Sequence, residues 1–560
     1  MTRNKITTSL RLIAATGVAL GACLVPLAAS AQTTLSTPTN FATSPAPLGG
    51  KPNDACGFTA PYGYIGLTDI AFSAVVSGPA NVGLSAEFLV VPGDGSPPLD
   101  VTAAAVSGLP TQVNLPRTDF VDGVTYTWQV RATDSNGDVS PYTRACHFIS
   151  DQTFPPAPTV SSATFDPTTS VPAGTLGSFT FSVSGPGAST VIGFVYQFGV
   201  GTISTGFVPV GPDGTATSPL LRSINPGPDL ITVSSEDHGG NLSASTTYNF
   251  FLDIPPPAAD KDMNGDGFPD LVTVGGTPGL PSGLWLAPEK PKKPVAAEIG
   301  QLDGPATDIG VNGDGVGPSS GASQYDGAQV ITGQFFGQGF QDVLTYYPSG
   351  PEAGAGSLLK GTGDGSALPG GQQGFSIFSG EFADANGDNP LQLVNAYTSL
   401  DDTSFPDLLA TSGDPVNGYY LDYYADFGSS FFAVPFAINT PTPDGTADWN
   451  QWTLATLSYS GGVGIFLWNE STGALYLWTG VTFTDNGDGT GSVAYTQYQL
   501  SSNWNAGQPL STLEAADFNG DGVPDLWAVT PSGTATAYMV SELSAAGTGK
   551  IAAGMPQKLT

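Results

Sequence analysis

Two stretches decide the fold, "DMNGDGFPDLVTVGG" at 262–276 and "DFNGDGVPDLWAVTPSG" at 517–533. In the first, side-chain oxygens stand at positions 1, 3, 5 and 9, on Asp262, Asn264, Asp266 and Asp270, and the main-chain carbonyl of Phe268 serves at position 7. The second repeats the pattern with Asp517, Asn519, Asp521, the carbonyl of Val523, and Asp525. Gly265 and Gly267 permit the left-handed turns that bring such oxygens to one side. Three carboxylates in so short a loop repel one another unless a hard divalent cation lies among them, so Ca2+ is the expected cofactor. An EF-hand needs Glu at position 12 and a following helix. Here Thr273 and Ala528 hold that position, and "LVTV" and "LWAV" read as strands.

Working outward, three weaker copies align at intervals of about 50–70 residues. "QFFGQGFQDVLTYYPSG" starts at 334. "DANGDNPLQL" at 384 is completed by "SFPDLLATSG" ending at 413, and "DWNQWTLATLSYSGG" starts at 448. Each is followed by a β-rich run, a Gly-containing turn and a second run: "GLWLAP", "GSLLKG", "GYYLDYY", "ALYLWTG" and "TATAYMV". Loop, strand, turn and strand at this spacing is the requirement of a propeller blade. The early Asp at position 9 with a strand directly after it resembles the FG-GAP/VCBS repeat of integrin-α-like propellers, over about 300 of the 560 residues. The resemblance implies a propeller of about five blades, Ca2+ in the loops, and extracellular adhesion or recognition of a carbohydrate or protein without catalysis.

The departures sort the loops. In the second copy Gln334, Phe336 and Gln338 replace three ligands and leave Asp342, so no ion is expected. In the fourth, Asp448 and Asn450 remain but Trp452 and Thr456 hold positions 5 and 9, and it too is expected empty. The third keeps Asp384, Asn386 and Asp388, with Gln392 or Asp407 as its ninth ligand. "TDNGDGTGS" (484–492) mimics the motif and reads as a hairpin turn. Extracellular calcium modules bind with Kd of about 10⁻⁴–10⁻³ M, which suits a structural clip better than a sensor.

Ahead of the repeats the chain alternates. In "TYTWQVRATD" (125–134) Tyr126, Trp128, Val130 and Ala132 share one strand face, and "SNGD" follows as a turn. The segment "YTWQVRATDSNGDVSPYTRACHFISD", with "PPAPTVSSATF" after it, resembles the immunoglobulin/fibronectin type III-like modules of secreted actinobacterial proteins. "GSFTFSVSG", "VIGFVYQFG" and "LITVSSEDHGGNLSASTTYNFFLD" continue the theme in a second sandwich. The expected order is an all-β chain: signal peptide 1–31, flexible leader 32–50, sandwiches at 51–153 and 154–256, and the propeller at 257–560. "IPPPAAD" (254–260) reads as a stiff linker.

The N-terminus supplies Arg3, Lys5 and Arg11, an apolar run from Leu12 to Leu27 and a small-residue site ending at Ala31, which is the expected cleavage point. Leu20-Gly21-Ala22-Cys23 also resembles a lipobox, but the apolar run continues past Cys23, so secretion is favoured over lipid anchoring. No other stretch has the length and apolarity of a membrane span. Removing the signal leaves Cys56 and Cys146, which pair in an oxidising compartment.

The formal charge is −33, and loss of Arg3, Lys5 and Arg11 makes the remainder more negative still. Such a chain repels nucleic acid and anionic membranes. A monomer is expected. From 255 onward there is no His, Arg or Cys, so imidazole, thiol and phosphate-clamp chemistry is excluded there, and the two histidines, His147 and His238, read as structural. Asp401, Asp402, Asp422, Asp426, Glu470 and Asp485 lie outside the loops and are the acids available to a propeller glycosidase, the alternative to a binding protein. No spacing singles out a pair among them. The aromatic runs "GYYLDYYADFGSSFF", "FLWN" and "LYLWTG" offer sugar-stacking surfaces or, more simply, blade core. "EKPKK" (289–293) reads as a solvated loop.

Overall fold

The computed structural model describes residues 35–200, 204–289, 300–316, 321–369, 375–398, 400, 405–425 and 435–560. The export segment with Cys23 and Ala31, the lysines of "EKPKK", and Asp401, Asp402 and Asp426 lie outside the described residues. Among those described there is no α-helix, and the chain is all-β. Among the described residues no helix is long and apolar enough to cross a membrane.

The chain divides into two compact regions. The first takes residues up to Pro156 together with Ser184–Ile192 and Ser235–Ala244. It is built on a sandwich. One sheet orders Thr39–Ser44, Ile70–Val75 and Pro110–Leu115; the other orders Tyr64–Ile65, Cys146–Ser150, Thr125–Asp134, Leu84–Pro92 and Leu99–Ala105. Strict alternation in Thr125–Asp134 buries Tyr126, Trp128, Val130 and Ala132, as the sequence pattern requires. Phe72, Phe120 and Phe148 pack around Trp128 and Tyr126. Cys56 and Cys146 are joined, tying the long loop before Tyr64 to the larger sheet. His147 holds that loop as well, with Nδ1 2.9 Å from the Gly57 carbonyl oxygen and its ring stacked on Tyr62. The segment 235–244 joins this region through Asn241, whose Oδ1 accepts the Leu67 amide at 2.7 Å and whose Nδ2 donates to the Asp151 carbonyl at 3.1 Å.

The second region begins with another sandwich, whose core gathers Phe165, Phe179, Phe181, Phe194, Phe198 and Phe250. Each such ring contributes about 1.5–3 kcal/mol by leaving water. Five antiparallel repeats follow. Their first strands are Leu271–Val274, Gln329–Gly333, Gln392–Asn395, Trp452–Tyr459 and Thr512–Ala516. The middle strands of the sheets are buried on both faces, so neighbouring residues of one strand point into different cores. Leu408 and Ala410 pack with Leu344 and Tyr346 of the second repeat, while Leu409 packs with Ile465 and Leu467 of the fourth. Phe466 meets Leu526 and Ala528 of the fifth. Trp527 and Val529 meet Leu271 and Ala287 of the first, and Val272 and Leu286 meet Val343 and Leu359 of the second. The packing therefore runs through all five repeats and returns to its start.

Side chains lace the first strands together. Gln329 accepts the Leu393 amide at 3.0 Å and donates to the Leu391 carbonyl at 3.2 Å. Gln392 makes the same pair of bonds to the backbone of Leu454, at 2.9 and 2.8 Å. Glu514 accepts the Val272 amide at 3.0 Å. One departure from uniform repeats is that the third and fourth share an edge. Phe436–Ile438 pairs in parallel with Thr490–Ser501, giving one continuous eight-stranded sheet that is nearly a closed barrel.

The "IPPPAAD" segment is clamped rather than a free spacer. Ala258 donates its amide to the Gly339 carbonyl at 2.7 Å, and Gln334 and Gln341 donate to the carbonyls of Ala258 and Ala259, each at 2.9 Å. From the same loop of the second repeat, Phe340 packs onto the core of the second sandwich. Arg222 completes the junction, with a guanidinium nitrogen 2.7 Å from Asp364 and donating to the Thr362 carbonyl.

Candidate metal loops and a central cavity

In the second and fifth repeats the Asp/Asn/Gly loop joins the first strand to the second. The fifth-repeat loop begins at Asp517, directly after Thr512–Ala516, and ends on Asp525, which opens the next strand. Asp517 Oδ1 accepts the amides of Gly520 and Asp521 at 2.8 and 3.2 Å, and Oδ2 that of Gly522 at 3.1 Å. Asn519 accepts the Asp521 amide at 2.8 Å, and Asp521 that of Val523 at 2.8 Å. The first-repeat loop is its counterpart: Asp262 accepts the amides of Gly265, Asp266 and Gly267 at 2.7, 3.1 and 3.0 Å. Gly265 sits at φ +78°, and a Cβ there would lie 2.7 Å from the Gly363 carbonyl oxygen, so the turn needs glycine twice over. The Phe268 amide donates to Asp266 at 2.9 Å.

The ninth-position acids are the buried ones. Asp270 Oδ2 accepts the amides of Met263 and Asn264 at 2.9 and 3.0 Å. Asp525 Oδ1 accepts the Val540 amide at 2.8 Å, and its Oδ2 is buried with no hydrogen-bond partner. Burial pushes both carboxyls up to about 8, and nearby loop acids, Asp266 for one and Asp521 for the other, add to the rise. Among the described residues no three acidic, imidazole or thiol groups converge on one point as a metal cage. The carboxylates instead turn onto backbone amides. The donor set still fits a hard divalent ion, since every side-chain donor is oxygen and Asp525 keeps one buried oxygen unspent.

The third site is not brought together. Asp407 opens the strand Leu408–Asp414, where Oδ2 accepts the Leu400 amide at 3.0 Å and the Tyr423 hydroxyl at 2.7 Å. Asp384, Asn386 and Asp388 precede the first strand of their repeat instead. Asp384 accepts from the Tyr420 hydroxyl, and Asp388 feels the charge of Asp414 at the far end of the Asp407 strand. Seven residues of strand, about 20 Å, separate the two groups. Gln392, the other candidate, is occupied with Leu454. The fourth repeat has no such loop at all. Its first two strands meet in a tight hairpin, Tyr459 opposite Gly462, and Asp448 and Asn450 lie before the first strand. Asp384 makes an Asx turn, accepting the amides of Asn386 and Asp388, so the third copy has the composition of the loop without the ninth acid beside it.

Of the candidate catalytic acids, Asp422 is buried and pushed up to about 6 by that burial, Glu470 is exposed, and Asp485 holds the hairpin turn by accepting the Gly487 amide at 2.7 Å. They occupy three different settings. The runs "GYYLDYY", "FLWN" and "LYLWTG" are largely core, with Tyr423, Tyr424, Trp468 and Trp478 all buried.

The five first strands line a single cavity of 350 Å³. Four of them run in a common direction, and Leu271–Val274, which follows its loop, runs the opposite way, with Thr273 beside Thr512 and Val272 beside Glu514. Leu391, Asn450 and Ser511, near their starts, are exposed, whereas Lys261, Thr332 and Thr456 mark the other end, where the Asp/Asn/Gly loops of the first and fifth repeats begin. Sequence reasoning gave no weight to Lys261 or Tyr397, which meet at that end. They are far apart in the chain and neither belongs to a local pattern.

No protein family matches the sequence, and no curated protein does. Among solved structures, the chicken CNTN1 FN1–FN3 domains share 13% identity at a TM-score of 0.26, covering 34% of this chain and 64% of that one. The fibronectin(III)-like modules of Clostridium thermocellum CbhA share 13% at 0.24, covering 34% and 91%. A Ca2+-stabilised adhesin by which an Antarctic bacterium binds ice shares 13% at 0.22, covering 94% and 99%. The chain thus spans under two thirds of the CNTN1 fragment. Likeness at these scores carries no weight for the whole chain, and the fold rests on its own strand order.

Proposed function

We propose that this is a secreted, monomeric, non-catalytic binding protein, in which two sandwiches carry a five-bladed FG-GAP-type propeller that recognises an extracellular carbohydrate or protein. The observation that supports it is the return of the packing from the fifth repeat to the first, around one shared cavity. Calcium acts as a clip in two loops, held by Asp262, Asn264, Asp266 and Asp270 in the first repeat, with the Phe268 carbonyl, and by Asp517, Asn519, Asp521 and Asp525 in the fifth, with the Val523 carbonyl. The ion supplies countercharge to clustered carboxylates and no chemistry on a substrate. The Cys56–Cys146 bridge suits an oxidising compartment.

The test is binding of the exported chain to arrays of immobilised glycans and matrix proteins, with calcium and with chelator, beside a screen for glycoside turnover. Binding without turnover is the expected result. Turnover abolished by one Asp→Asn or Glu→Gln change outside the loops would make the protein a hydrolase instead.

A further inference from the structure

Lys261 and Tyr397 are both non-glycine residues in the left-handed region, at φ +61° and +55°, and they touch each other. Lys261 Nζ donates to the Tyr397 hydroxyl at 2.7 Å and to the Thr456 carbonyl at 3.1 Å. Left-handed backbone is unfavourable for a residue with a Cβ, and two such residues in one contact mark a place the fold holds against local preference. That place is the inner end of the central cavity, which both residues line.

The wall chemistry selects a ligand class. Among the described residues Lys261 is the only cation on the wall, and two acids stand near it, Asp260 at 4.0 Å and Glu514 on the same wall. A phosphate or sulfate would find no surplus positive charge. An apolar ligand would offer no acceptor to Trp452 Nε1 on the wall. A polyhydroxylated neutral molecule suits both, because each sugar hydroxyl donates and accepts. Trp452 and Trp468 also line the space, and Trp452 Nε1 is a buried donor with no partner.

We propose that this cavity binds a neutral carbohydrate of about one or two rings, a size suited to small-molecule sites of about 300–1,000 Å³, entering past Asn450 and Leu391 and held at the inner end by Lys261, Tyr397 and Glu514. This rests on the binding reading above and gives it a site. The mouth lies at the opposite end of the first strands from the first- and fifth-repeat loops, so a bound ion there would steady the walls without touching the sugar.

The test uses the full exported chain, with tryptophan fluorescence and saturation-transfer NMR against glucose, galactose, mannose, N-acetylglucosamine, lactose and cellobiose. At least one should bind, and Tyr397→Phe should weaken it tenfold or more. Because a floor variant can also disturb folding, Asn450→Trp, an exposed position at the mouth, should block binding with the thermal midpoint unchanged. Asp488→Asn in the remote hairpin is the control. Binding untouched by Asn450→Trp and Tyr397→Phe would overturn the site while leaving a carbohydrate-binding function in place. If none of the six sugars binds, the cavity assignment falls, and adhesion to the immobilised arrays then decides the broader function separately.

Discussion

Asp342 Oδ1 accepts the amide of Gly361 at 2.8 Å, and in the fifth repeat Asp525 Oδ1 accepts that of Val540 at the same distance. The second bond ties the end of its loop to the third strand, Thr534–Ser541, and the first to the residues just past Gly356–Leu359. Asp342 does so in a loop whose other ligand positions are Gln, Phe and Gln, so the ninth-position acid has a backbone duty that needs no ion. Asp342→Ala should therefore destabilise the repeat region by about 2–4 kcal/mol, since the amides of Phe336 and Gly361 both lose their acceptor. Asp342→Asn, which keeps one acceptor, should cost less. Denaturant unfolding of the two variants measures the difference.

The same residue gives a pH dependence. Burial pushes Asp342 up to about 7. Between about pH 4 and 7 the folded chain retains a proton that the unfolded chain has released, so stability falls as pH rises through that window. Calcium-free protein should melt at a higher temperature at pH 5 than at pH 7.5, and Asp342→Asn should flatten the profile. A midpoint that climbs with pH across this range contradicts the assignment.

Calcium should raise the thermal midpoint of the repeat region, and chelator should lower it. Asp517→Ala and Asp262→Ala should each remove part of the shift. Gln338→Ala in the second loop and Asp448→Ala before the fourth repeat should leave it whole. Calorimetry should count two sites; three would return Asp384 and Asp388 to the ligand set.

Reduction of Cys56–Cys146 should destabilise the first region alone. The closed loop spans a sequence separation of 90, for which chain entropy gives about 4–5 kcal/mol. Two resolved thermal transitions, of which only one moves with reductant, are the expected trace.

How far the sequence could be read depends on whether each signal was local. Tyr126, Trp128 and Val130 declared their strand because alternation is written in consecutive residues. The first and fifth loops were legible because a full set of oxygens stood just before a strand. Asp384, Asn386 and Asp388 matched the loop in composition because turn chemistry and ligand chemistry draw on the same residues. The meeting of Lys261 with Tyr397 had no trace at all. It depends on the repeats closing on themselves, which no stretch of the chain encodes alone.

Phe340 carries one last consequence. The loop that presents it to the second sandwich has exchanged its acidic positions for Gln and Phe, so this seam is fastened by hydrophobic packing and by Arg222 against Asp364. Withdrawal of divalent ions would slacken the first and fifth repeats, yet tension entering from the sandwich would still reach the repeats through a fastening that is indifferent to the ionic surroundings. Ions bound in those two loops could thus be lost without the repeats letting go of the arm that carries them.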